Sequence, residues 1–541
     1  MNPTLDLTSV FPKPGGIPPE HDLPAPLDQR EYLVDGELRH WDGPMQEVLS
    51  PVCMARDGGL HRVPIGRYPK LSADEALTAL QAASRAYDHG RGAWPTLTVE
   101  ARIEHMVDFA YRMKSRRTEI VRLLMWEIGK NLPDSEKEFD RTLVYIEDTI
   151  EALKELDRVS SRFVIDGGII GQIRRAPLGA VLCMGPYNYP LNETYTTLLP
   201  ALLMGNTVVF KPPKFGVLLH SPLLEAFREA FPAGVVNTIY GEGSVIVGPL
   251  MASGLVDGLA FIGTSRVADL VKQQHPKPHH LRTVLGLDAK NPGILLPDAD
   301  LDLAVRECLL GTLSFNGQRC TALKILFVHH SIADDFLKRF SAAVEALKPG
   351  MPWDPGVGVT PLPESGKTDY LRALVEDARA KGARVVNPNG GACTESLFFP
   401  AVLAPVTPEM RVFTEEQFGP VVPVVPFDDI QTPLDYIVES SYGQQVSLFG
   451  RDPEALARLI DPLVNQVSRV NLNSQCQRGP DSFPFTGRKD SAEGTLSVSD
   501  ALRVFSIRTL VAAKDDPVNK EVITDIVHYN RSNFLTTNFI L

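Results

Sequence analysis

The sequence predicts an α/β protein with two parallel sheets. Short β-rich runs at residues 180–184, 207–210, 235–240 and 259–262 alternate with helical segments. A second alternation of the same kind begins near Asn291. Strand–helix–strand repeats build parallel sheets with helices on their faces, so each series predicts one sheet. With 541 residues and a hydrophobic fraction of 44%, the chain is large and apolar enough for two or three compact units.

The composition excludes several classes of partner. No apolar run approaches the roughly 20 residues that span a bilayer, and the N-terminus lacks a basic-then-apolar signal pattern. We therefore expect a cytoplasmic protein without a membrane partner. The formal charge of −12 disfavours nucleic acid, which is itself anionic. The six cysteines show no C-x-x-C or Cys/His ligand spacing, which predicts neither a disulfide framework nor a metal site.

The first part of the chain predicts an arm followed by helices. Residues 1–29 hold many prolines and few periodic apolar positions, which is typical of an extended arm that lies on the body or is partly disordered. Apolar residues at helical spacing from Val99 predict one helix to Ile128, where Gly129 ends it. A second helix follows and carries Arg141, which by itself is interpreted as a solvated helix charge.

Loops after the strands of the first series are candidates for cofactor binding, because parallel sheets bind ligands at the carboxyl ends of their strands. The full fingerprint G-x-G-x-x-G is absent. Gly243, in the sequence Gly-Glu-Gly, is a weak indicator of phosphate binding. Gly263 and Thr264 are better placed, because a hydroxyl N-cap after glycine leaves helix N–H groups free for a pyrophosphate.

Cys320 is the candidate nucleophile of the second series. It stands in a short polar turn beside Arg319. Backbone N–H groups of a turn and an adjacent cation favour the thiolate, which is the form that attacks a carbonyl carbon. The alternative is a buried, inert cysteine. Further on, residues 413–420 predict a fixed loop that contains two adjacent glutamates, and the apolar residues 533–541 predict a tail docked on the body or on a neighbouring subunit.

Five motifs follow one another in a recognisable order: Pro-Tyr-Asn-Tyr-Pro at 186–190, Lys-Pro-Pro at 211–213, Phe-Ile-Gly-Thr at 261–264, Gly-Gln-Arg-Cys at 317–320 and Glu-Glu-Gln-Phe-Gly-Pro at 415–420. Together they resemble the aldehyde dehydrogenase superfamily over roughly residues 33–508. The resemblance implies a Rossmann-type cofactor domain (30–158 and 178–290) and a catalytic domain (291–490). It also implies a β-hairpin oligomerisation arm (159–177) that, with residues 491–541, builds a homo-oligomer, a dimer or a tetramer.

The same resemblance implies roles for individual residues. Cys320 attacks the aldehyde carbon, and the Asn188 amide with the Cys320 backbone N–H stabilises the oxyanion. Glu416 holds the nicotinamide ribose, Phe418 packs beside it, and Lys211 bonds the adenine ribose. The residue three positions after Lys211 approaches the same ribose in the family. Here that residue is Lys214, and its ammonium attracts a 2′-phosphate, which favours NADP over NAD. The alternative for Lys214 is an exposed loop lysine.

The substrate is implied by a narrower resemblance. Arg319 directly before the nucleophile, Tyr189 after the catalytic asparagine, and the segments Cys-Gln-Arg-Gly at 476–479 and Phe-Pro-Phe at 483–485 resemble the branch of non-phosphorylating glyceraldehyde-3-phosphate dehydrogenases. The resemblance implies that Arg141, Tyr189, Arg319 and Arg478 hold a substrate phosphate, which guanidinium groups pair with bidentately. The implied reaction oxidises glyceraldehyde 3-phosphate to 3-phosphoglycerate through a cysteine thiohemiacetal and thioester. The alternative is that these arginines form surface ion pairs.

One position departs from the family. The superfamily's general-base glutamate stands 34 residues before the cysteine, where this chain has Gly286. Asp288 is the nearest carboxylate. In an extended segment its side chain points to the same face as position 286, about 6–7 Å further along. Asp288 is therefore the candidate substitute base; a structural carboxylate is the alternative.

Two other functions stay open: a semialdehyde dehydrogenase that releases its thioester to coenzyme A, and a cofactor-binding protein of low activity.

Overall fold

The computed structural model describes residues 5–23 and 25–540. The predicted arm, residues 1–29, and the predicted tail, residues 533–541, therefore lie partly outside the described residues. The described part of the arm contains a 3-10 turn at Thr8–Val10, and the side chains of Leu7 and Phe11 are buried in the main core. This part of the arm is packed on the body of the protein.

A three-stranded sheet, a separate antiparallel pair of strands and five helices come next. The elements are β1 (Leu27–Asp28), β2 (Glu31–Val34), β3 (Glu37–His40), β4 (Met45–Arg56), β5 (Gly59–Pro69), α1 (Ala73–Tyr87), α2 (Ala93–Thr96), α3 (Val99–Lys114), α4 (Arg117–Ile128) and α5 (Leu132–Ser160). The prediction of one helix from Val99 to Ile128 was wrong, because the chain breaks between α3 and α4. Arg116 leaves the helical conformation there, and both helices bury apolar residues, so the apolar spacing continues across the break. The stop at Gly129, which has a φ of 67°, is confirmed.

The next segment contains a hairpin and the first alternating series. Its elements are β6 (Phe163–Asp166), β7 (Ile169–Pro177), β8 (Ala180–Met184), α6 (Asn192–Leu203), β9 (Thr207–Lys211), α7 (Leu224–Ala230), β10 (Val236–Thr238), α8 (Gly243–Ala252), β11 (Gly258–Ile262), α9 (Ser265–Gln273) and β12 (Arg282–Gly286). The four predicted strands are all present, with boundaries that differ by at most two residues.

The second series and the C-terminal elements complete the chain. They are β13 (Asn291–Leu295), α10 (Leu301–Leu313), β14 (Leu323–His329), α11 (His330–Glu345), β15 (Lys348–Pro349), β16 (Val357–Val359), α12 (Lys367–Ala380), β17 (Arg384–Val385), β18 (Ala401–Ala404), α13 (Arg411–Thr414), β19 (Val421–Phe427), α14 (Gln431–Glu439), β20 (Tyr442–Gly443), β21 (Gln445–Phe449), α15 (Pro453–Leu463), β22 (Arg469–Leu472), β23 (Arg488–Lys489), β24 (Ala492–Glu493), α16 (Val498–Val504), β25 (Ser506–Lys514) and α17 (Pro517–His528).

The first series forms a six-stranded sheet in the order β10-β9-β8-β11-β12-β24. Its first five strands are parallel, and β24 pairs antiparallel with β12. The strands end at one edge with Met184, Lys211, Ile262 and Gly286, so the loops that carry the candidate cofactor residues share that edge. Because β24 is part of this sheet, residues after 491 contribute a strand to it as well as the predicted oligomerisation elements.

The second series forms a seven-stranded sheet in the order β17-β18-β19-β14-β13-β21-β22. All neighbours are parallel except the pair β17 and β18. Alternate residues of β14 pack in two different apolar clusters, with Ile325 and Phe327 in one and Leu326 and Val328 in the other. The sheet is therefore covered on both faces, as expected for parallel strands, and the α/β fold class is confirmed.

The predicted hairpin arm is a three-stranded antiparallel sheet of β6, β7 and β25. The arm begins later than residue 159, because α5 continues to Ser160. The C-terminal segment lies against the base of the arm. The carbonyl oxygen of Thr536 accepts hydrogen bonds from Gln172 Nε2 (2.6 Å) and Arg174 Nη1 (3.2 Å), and the Thr536 N–H donates to Gln172 Oε1 (3.2 Å). No helix within residues 5–23 and 25–540 combines the length and apolar character needed to span a bilayer.

Candidate active site

The loop before Cys320 has an unusual backbone conformation. Phe315, Asn316 and Gly317 follow one another with φ values of 50°, 55° and 70°, in the left-handed region that costs a side-chain-bearing residue about 1–2 kcal/mol. Asn316 is held from both directions, since its Nδ2 donates to the Thr360 carbonyl oxygen (3.0 Å) and its Oδ1 accepts the Thr360 N–H (3.1 Å). The loop is therefore fixed by a distant segment and presents Cys320 in one orientation.

Lys324 is the cation that acts most strongly on the candidate nucleophile. Its side chain is 1% exposed, and its Nζ lies 2.6 Å from Glu416 Oε1 and donates to the Cys320 carbonyl oxygen (2.9 Å). Burial raises the pKa of the Cys320 thiol; the charge of Lys324 opposes this shift, Glu416 adds to it, and Arg319 opposes it. The protein thus places one buried ammonium group where it favours the thiolate.

Asn188 lies against the nucleophile loop. Its side-chain Nδ2 donates to the Gln318 carbonyl oxygen (2.8 Å), two residues before Cys320. Its backbone carbonyl oxygen accepts from Lys130 Nζ (2.7 Å). Lys130 is fully buried and forms an ion pair with Glu138. A side-chain amide of this kind has a second N–H, which is the donor that an oxyanion on the substrate needs.

The buried pair of Lys130 and Glu138 also orders the neighbouring loop. Glu138 Oε1 accepts the N–H groups of Leu191 (3.0 Å) and Asn192 (3.2 Å). Lys130 Nζ lies 3.6 Å from the ring centroid of Tyr189, within the range of a cation–π contact. One ion pair therefore positions both the candidate oxyanion donor and the candidate substrate tyrosine.

Sequence reasoning missed three of these groups: Lys130, Glu138 and Lys324. Lys324 did carry a signal, because it is the one charged residue inside the apolar run 322–328, and a charge in a buried strand requires a partner. Lys130 follows the helix-ending Gly129 directly. Its partner Asn188 is 58 residues away, so the contact itself has no local sequence signal.

Replacing Lys324 with Met should shift the pH dependence of the reaction. Because a thiolate is required, kcat/KM rises with pH as Cys320 ionises, and Lys324 lowers the pKa of this thiol. Without the ammonium group the rising limb moves to higher pH, and the rate at neutral pH falls. The pH profiles of kcat/KM and of alkylation of Cys320 by iodoacetamide measure this. Lys381→Met, an exposed change directly after the end of α12, is the control. Coincident profiles for Lys324→Met and the unmodified protein would contradict this role.

The candidate cofactor lysines differ in burial. Lys211 is half-buried, and desolvation of its ammonium group lowers its pKa to about 8. Its Nζ donates to the Pro212 carbonyl oxygen (3.2 Å), and no carboxylate within the described part of the chain pairs with it. Lys214 is exposed, with its Nζ 5.5 Å from the ring centroid of Phe215. Gly243 is the first residue of α8, a helix that begins without a side-chain cap. The two ammonium groups and the N–H groups at the start of α8 can therefore donate hydrogen bonds to a ligand at the carboxyl edge of the six-stranded sheet.

The start of α9 corrects one prediction. Thr264 is the N-cap, as expected, and its Oγ1 accepts the Val267 N–H at 3.4 Å. Asp288 Oδ2, however, accepts both the N–H (2.8 Å) and the Oγ hydroxyl (2.9 Å) of Ser265. The prediction that the first N–H groups of this helix are free for a pyrophosphate was therefore wrong for two of them. Gly263 is required for packing, since a Cβ there would lie 2.3 Å from the Phe261 ring.

Asp288, the candidate substitute base, is thus occupied as a helix-capping carboxylate. Its oxygen is bonded to Ser265, and no contact in the described residues joins it to Cys320. At the family's base position, Gly286 ends β12. A Cβ built there would lie 3.4 Å from Ile262 and 3.6 Å from Leu496, which is ordinary packing distance. The site therefore has space for a Cβ at residue 286, where the chain has a glycine.

Glu416 and Phe418 lie beside the nucleophile loop. Besides Lys324, Glu416 Oε1 accepts the Ala289 N–H at 3.3 Å. Burial raises the pKa of Glu416, Lys324 opposes the shift, and the charge of Asp288 adds to it. Phe418 has a φ of 41°, and its ring stands edge-on to Tyr187 with centroids 5.9 Å apart.

The predicted substrate arginines have unequal surroundings. Arg141 donates to both oxygens of Asp481, at 2.9 and 2.7 Å. Arg478 is 4% exposed and pairs with Asp481 (3.1 Å) and with Glu193; burial lowers its pKa to about 10, although Asp481 opposes the shift. Arg319 donates only to backbone carbonyls and to Gln475, and its buried Nε has no partner among the described residues.

Two of these arginines act on Tyr189. Burial raises its pKa, while the charges of Arg319 and Arg141 oppose this shift. Its ring stands edge-on to Phe315 of the nucleophile loop, with centroids 6.2 Å apart. The structure therefore brings Tyr189 next to the Cys320 loop, and Asp481 joins Arg141 to Arg478.

Comparison with known proteins gives consistent relatives. The model of the Aldehyde dehydrogenase family matches residues 59–510. The chain is 34% identical over 466 residues to the NADP-dependent glyceraldehyde-3-phosphate dehydrogenase of Streptococcus equinus, with 83% of this chain and 92% of the relative covered. It is 28% identical over 505 residues to the enzyme of the same name from Pisum sativum, with 90% and 97% covered.

Among solved structures, the NADP-dependent glyceraldehyde-3-phosphate dehydrogenase from Bacillus halodurans C-125, complexed with NADP, superposes with a TM-score of 0.82 at 30% identity. The match covers 90% of this chain and all of that chain. The family model spans well over half of the chain, and its match includes the nucleophile loop, the Asn188 loop and the segment around Glu416. The chain therefore belongs to the aldehyde dehydrogenase family.

Proposed function

We propose that this protein catalyses the NADP-dependent oxidation of glyceraldehyde 3-phosphate to 3-phosphoglycerate. The observation that carries the proposal is that Tyr189, which packs edge-on against Phe315 of the Cys320 loop, is affected by the charges of Arg141 and Arg319. Asp481 pairs with both Arg141 and Arg478 and so brings the third arginine into the same cluster. A small phosphorylated aldehyde is anchored by its phosphate in such a cluster while its carbonyl reaches the thiol. The names of the relatives from Streptococcus equinus and Pisum sativum support the same substrate.

The chemistry starts with the Cys320 thiolate. Its sulfur forms a bond to the aldehyde carbon, and the carbonyl oxygen takes the electron pair as an oxyanion, which the free N–H of the Asn188 amide and the Cys320 backbone N–H stabilise. Lys324 offsets part of the burial cost of the thiolate. Loss of hydride from the same carbon then leaves an acyl thioester on Cys320.

The residues at the sheet edge fit a dinucleotide. Lys211 is half-buried without a carboxylate partner in the described residues, and α8 begins uncapped at Gly243, so both offer donors to ribose or phosphate oxygens. Glu416 and Phe418 would hold the nicotinamide end, and Gly263 with Thr264 would pack along it. When bound, NADP supplies the hydride acceptor. Lys214 would pair with the 2′-phosphate.

A second candidate follows from Gly286. Without a carboxylate at this position, water near the thioester lacks the family's base, and Asp288 is bonded to Ser265. Slow hydrolysis favours release of the acyl group to another acceptor, such as the thiol of coenzyme A, which needs less activation than water.

Arg319→Ala tests the phosphate subsite. We expect kcat/KM for glyceraldehyde 3-phosphate to fall about ten- to a hundredfold, because a hydrogen bond to a charged group contributes about 1.5–3 kcal/mol. The loss for unphosphorylated glyceraldehyde should be much smaller. NADPH formation measures both. Arg306→Ala, on the exposed face of α10, is the matched control. Equal losses for the two substrates would remove the support for a phosphorylated substrate.

Lys214→Glu tests the cofactor. Replacing an exposed ammonium with a carboxylate repels a 2′-phosphate and accepts a hydrogen bond from a free 2′-hydroxyl. The ratio of kcat/KM with NADP to that with NAD should therefore fall at least tenfold. Lys338→Glu on α11 makes the same charge change away from the sheet edge and should leave the ratio unaltered. A ratio unaffected by Lys214→Glu would show that Lys214 does not contact the cofactor.

We also propose a homo-oligomer in the cytoplasm. The hairpin arm and the strand that pairs with it expose apolar side chains, among them Val164, Ile165, Ile507 and Leu510, and exposed apolar surface of this kind is typical of protein–protein contacts. A second copy of the chain would cover it in a dimer or a tetramer. All six cysteines are free, which fits a reducing compartment.

A further inference from the structure

We propose that Glu193 determines substrate specificity by competing with a substrate phosphate for Arg478. The inference rests on the proposed function, because it concerns the same phosphate subsite. It assigns a role to a residue that no motif of the sequence singles out, and it makes the affinity for phosphorylated aldehydes depend on an internal carboxylate.

Glu193 and Arg478 form a buried ion pair. Their side chains are 8% and 4% exposed. Glu193 lies in the first turn of α6, where the partial positive charge of the helix start stabilises a carboxylate. It is therefore an anion held in place by its helix, and its partner is a residue of the predicted phosphate subsite.

Each of the three guanidinium nitrogens of Arg478 has a partner. Nη1 contacts Glu193, Nε donates to Asp481 (3.1 Å) and Nη2 donates to the Leu496 carbonyl oxygen (3.1 Å). Because the group has five N–H donors, two remain, and a phosphate that binds Arg478 either lies beside these partners or displaces one of them. Asp481 also holds Arg141 through two bonds, so its removal would disturb both arginines. Glu193, by contrast, pairs with Arg478 and not with Arg141 among the described residues. Glu193 is therefore the partner that a phosphate can replace.

The charges of this cluster cancel. Arg141 and Arg478 bring two positive charges, and Asp481 and Glu193 bring two negative ones. A phosphate placed here would meet a neutral group of side chains and a nearby buried carboxylate, which repels it in a medium of low polarity. Only Arg319 adds a cation without a carboxylate partner in the described residues. The subsite therefore binds phosphate more weakly than its number of arginines suggests.

Glu193→Gln tests this directly, because glutamine keeps the shape and removes the charge. We expect the KM for glyceraldehyde 3-phosphate, and the inhibition constant of inorganic phosphate, to fall about tenfold. The kcat for glyceraldehyde 3-phosphate and the KM for unphosphorylated glyceraldehyde should change less than threefold. Glu193→Asp restores the charge and should return both constants toward those of the unmodified enzyme. Glu225→Gln, which also removes a carboxylate paired with an arginine in the first turn of a helix, but at an exposed site, is the control.

Binding of inorganic phosphate, measured without turnover, gives a second test of the inference. Inorganic phosphate should raise the thermal unfolding midpoint of Glu193→Gln more than that of the unmodified protein, because it binds the variant more tightly. If the glutamine variant does not fold, Glu193→Met, which also lacks the charge, is expected to give the same shifts.

The outcomes separate this inference from the proposed function. If the unmodified enzyme prefers the phosphorylated aldehyde and Glu193→Gln leaves its KM and phosphate inhibition unaltered, the inference is wrong and the proposed function stands. If only the variant responds to phosphate, the inference stands and the proposed substrate is wrong. Equal shifts for both aldehydes, or no response to phosphate in either protein, would overturn the inference.

Discussion

A rapid burst of NADPH, close to one equivalent per active subunit and followed by a slower steady rate, is expected when the enzyme is mixed with NADP and saturating aldehyde. Cys320, Asn188 and Lys324 are in place for formation of the thioester. Hydrolysis of that thioester requires an activated water, and the family's base position holds Gly286. General-base assistance contributes about 10²–10⁴-fold, so deacylation should limit turnover. Rapid-mixing absorbance measurements resolve the two phases.

Gly286→Glu should raise the steady rate without changing the burst. The position has room for a Cβ beside Ile262 and Leu496, and a carboxylate there would restore a base at the family's position. Gly286→Ala fills the same space without a carboxylate and should not accelerate turnover. Asp288→Asn should leave the steady rate unaltered, because its carboxylate is bonded to Ser265; a lower rate would identify Asp288 as the substitute base. Absence of a burst would mean that deacylation does not limit turnover and that another group activates water. Acceleration of the steady phase by coenzyme A would favour the acyl-transfer candidate.

Asn188→Ala should lower kcat about 10²–10³-fold, the usual effect of removing one oxyanion donor. The amide is held by the Gln318 carbonyl oxygen at 2.8 Å, and its loss leaves the Cys320 N–H as the remaining donor. The burst phase should slow by the same factor, because the oxyanion forms before hydride transfer. Alkylation of Cys320 by iodoacetamide, which forms no oxyanion, should proceed at an unchanged rate. A loss of kcat smaller than tenfold would show that Asn188 does not face the oxyanion.

The parallel strands were predictable because burial on both faces gives continuous apolar runs. Residues 180–184 are the clearest case, since the predicted run and β8 coincide. The break between α3 and α4 was not predictable, because both helices bury apolar residues at the same spacing. In the candidate active site, the motif residues were predictable because the motifs resemble those of the family. The contacts that orient these residues and alter their pKa values were not predictable. Glu193 and Arg478 are 285 residues apart, and pairing over that distance depends on the completed fold.

Asp288 illustrates a different reason for failure. Extended geometry placed its side chain on the same face as residue 286, but β12 ends at Gly286, and the alternation of a strand does not continue beyond it. The chain turns, and the carboxylate reaches the start of α9 instead. A prediction based on strand periodicity is valid only as far as the strand extends.

The contact between Thr536 and the hairpin has a consequence for biosynthesis. Gln172 donates to a carbonyl oxygen that lies 364 residues later in the chain. At a translation rate of 5–20 residues per second, that oxygen emerges about 20–70 s after Gln172. During this interval the amide of Gln172 and the guanidinium group of Arg174 lack a partner that they have in the finished protein. Strand β25, which pairs with the whole of β7, is also made late. The hairpin sheet is thus completed only after strands β8 to β12 of the six-stranded sheet have been synthesised. Subunits that use this surface would therefore associate after translation rather than during it.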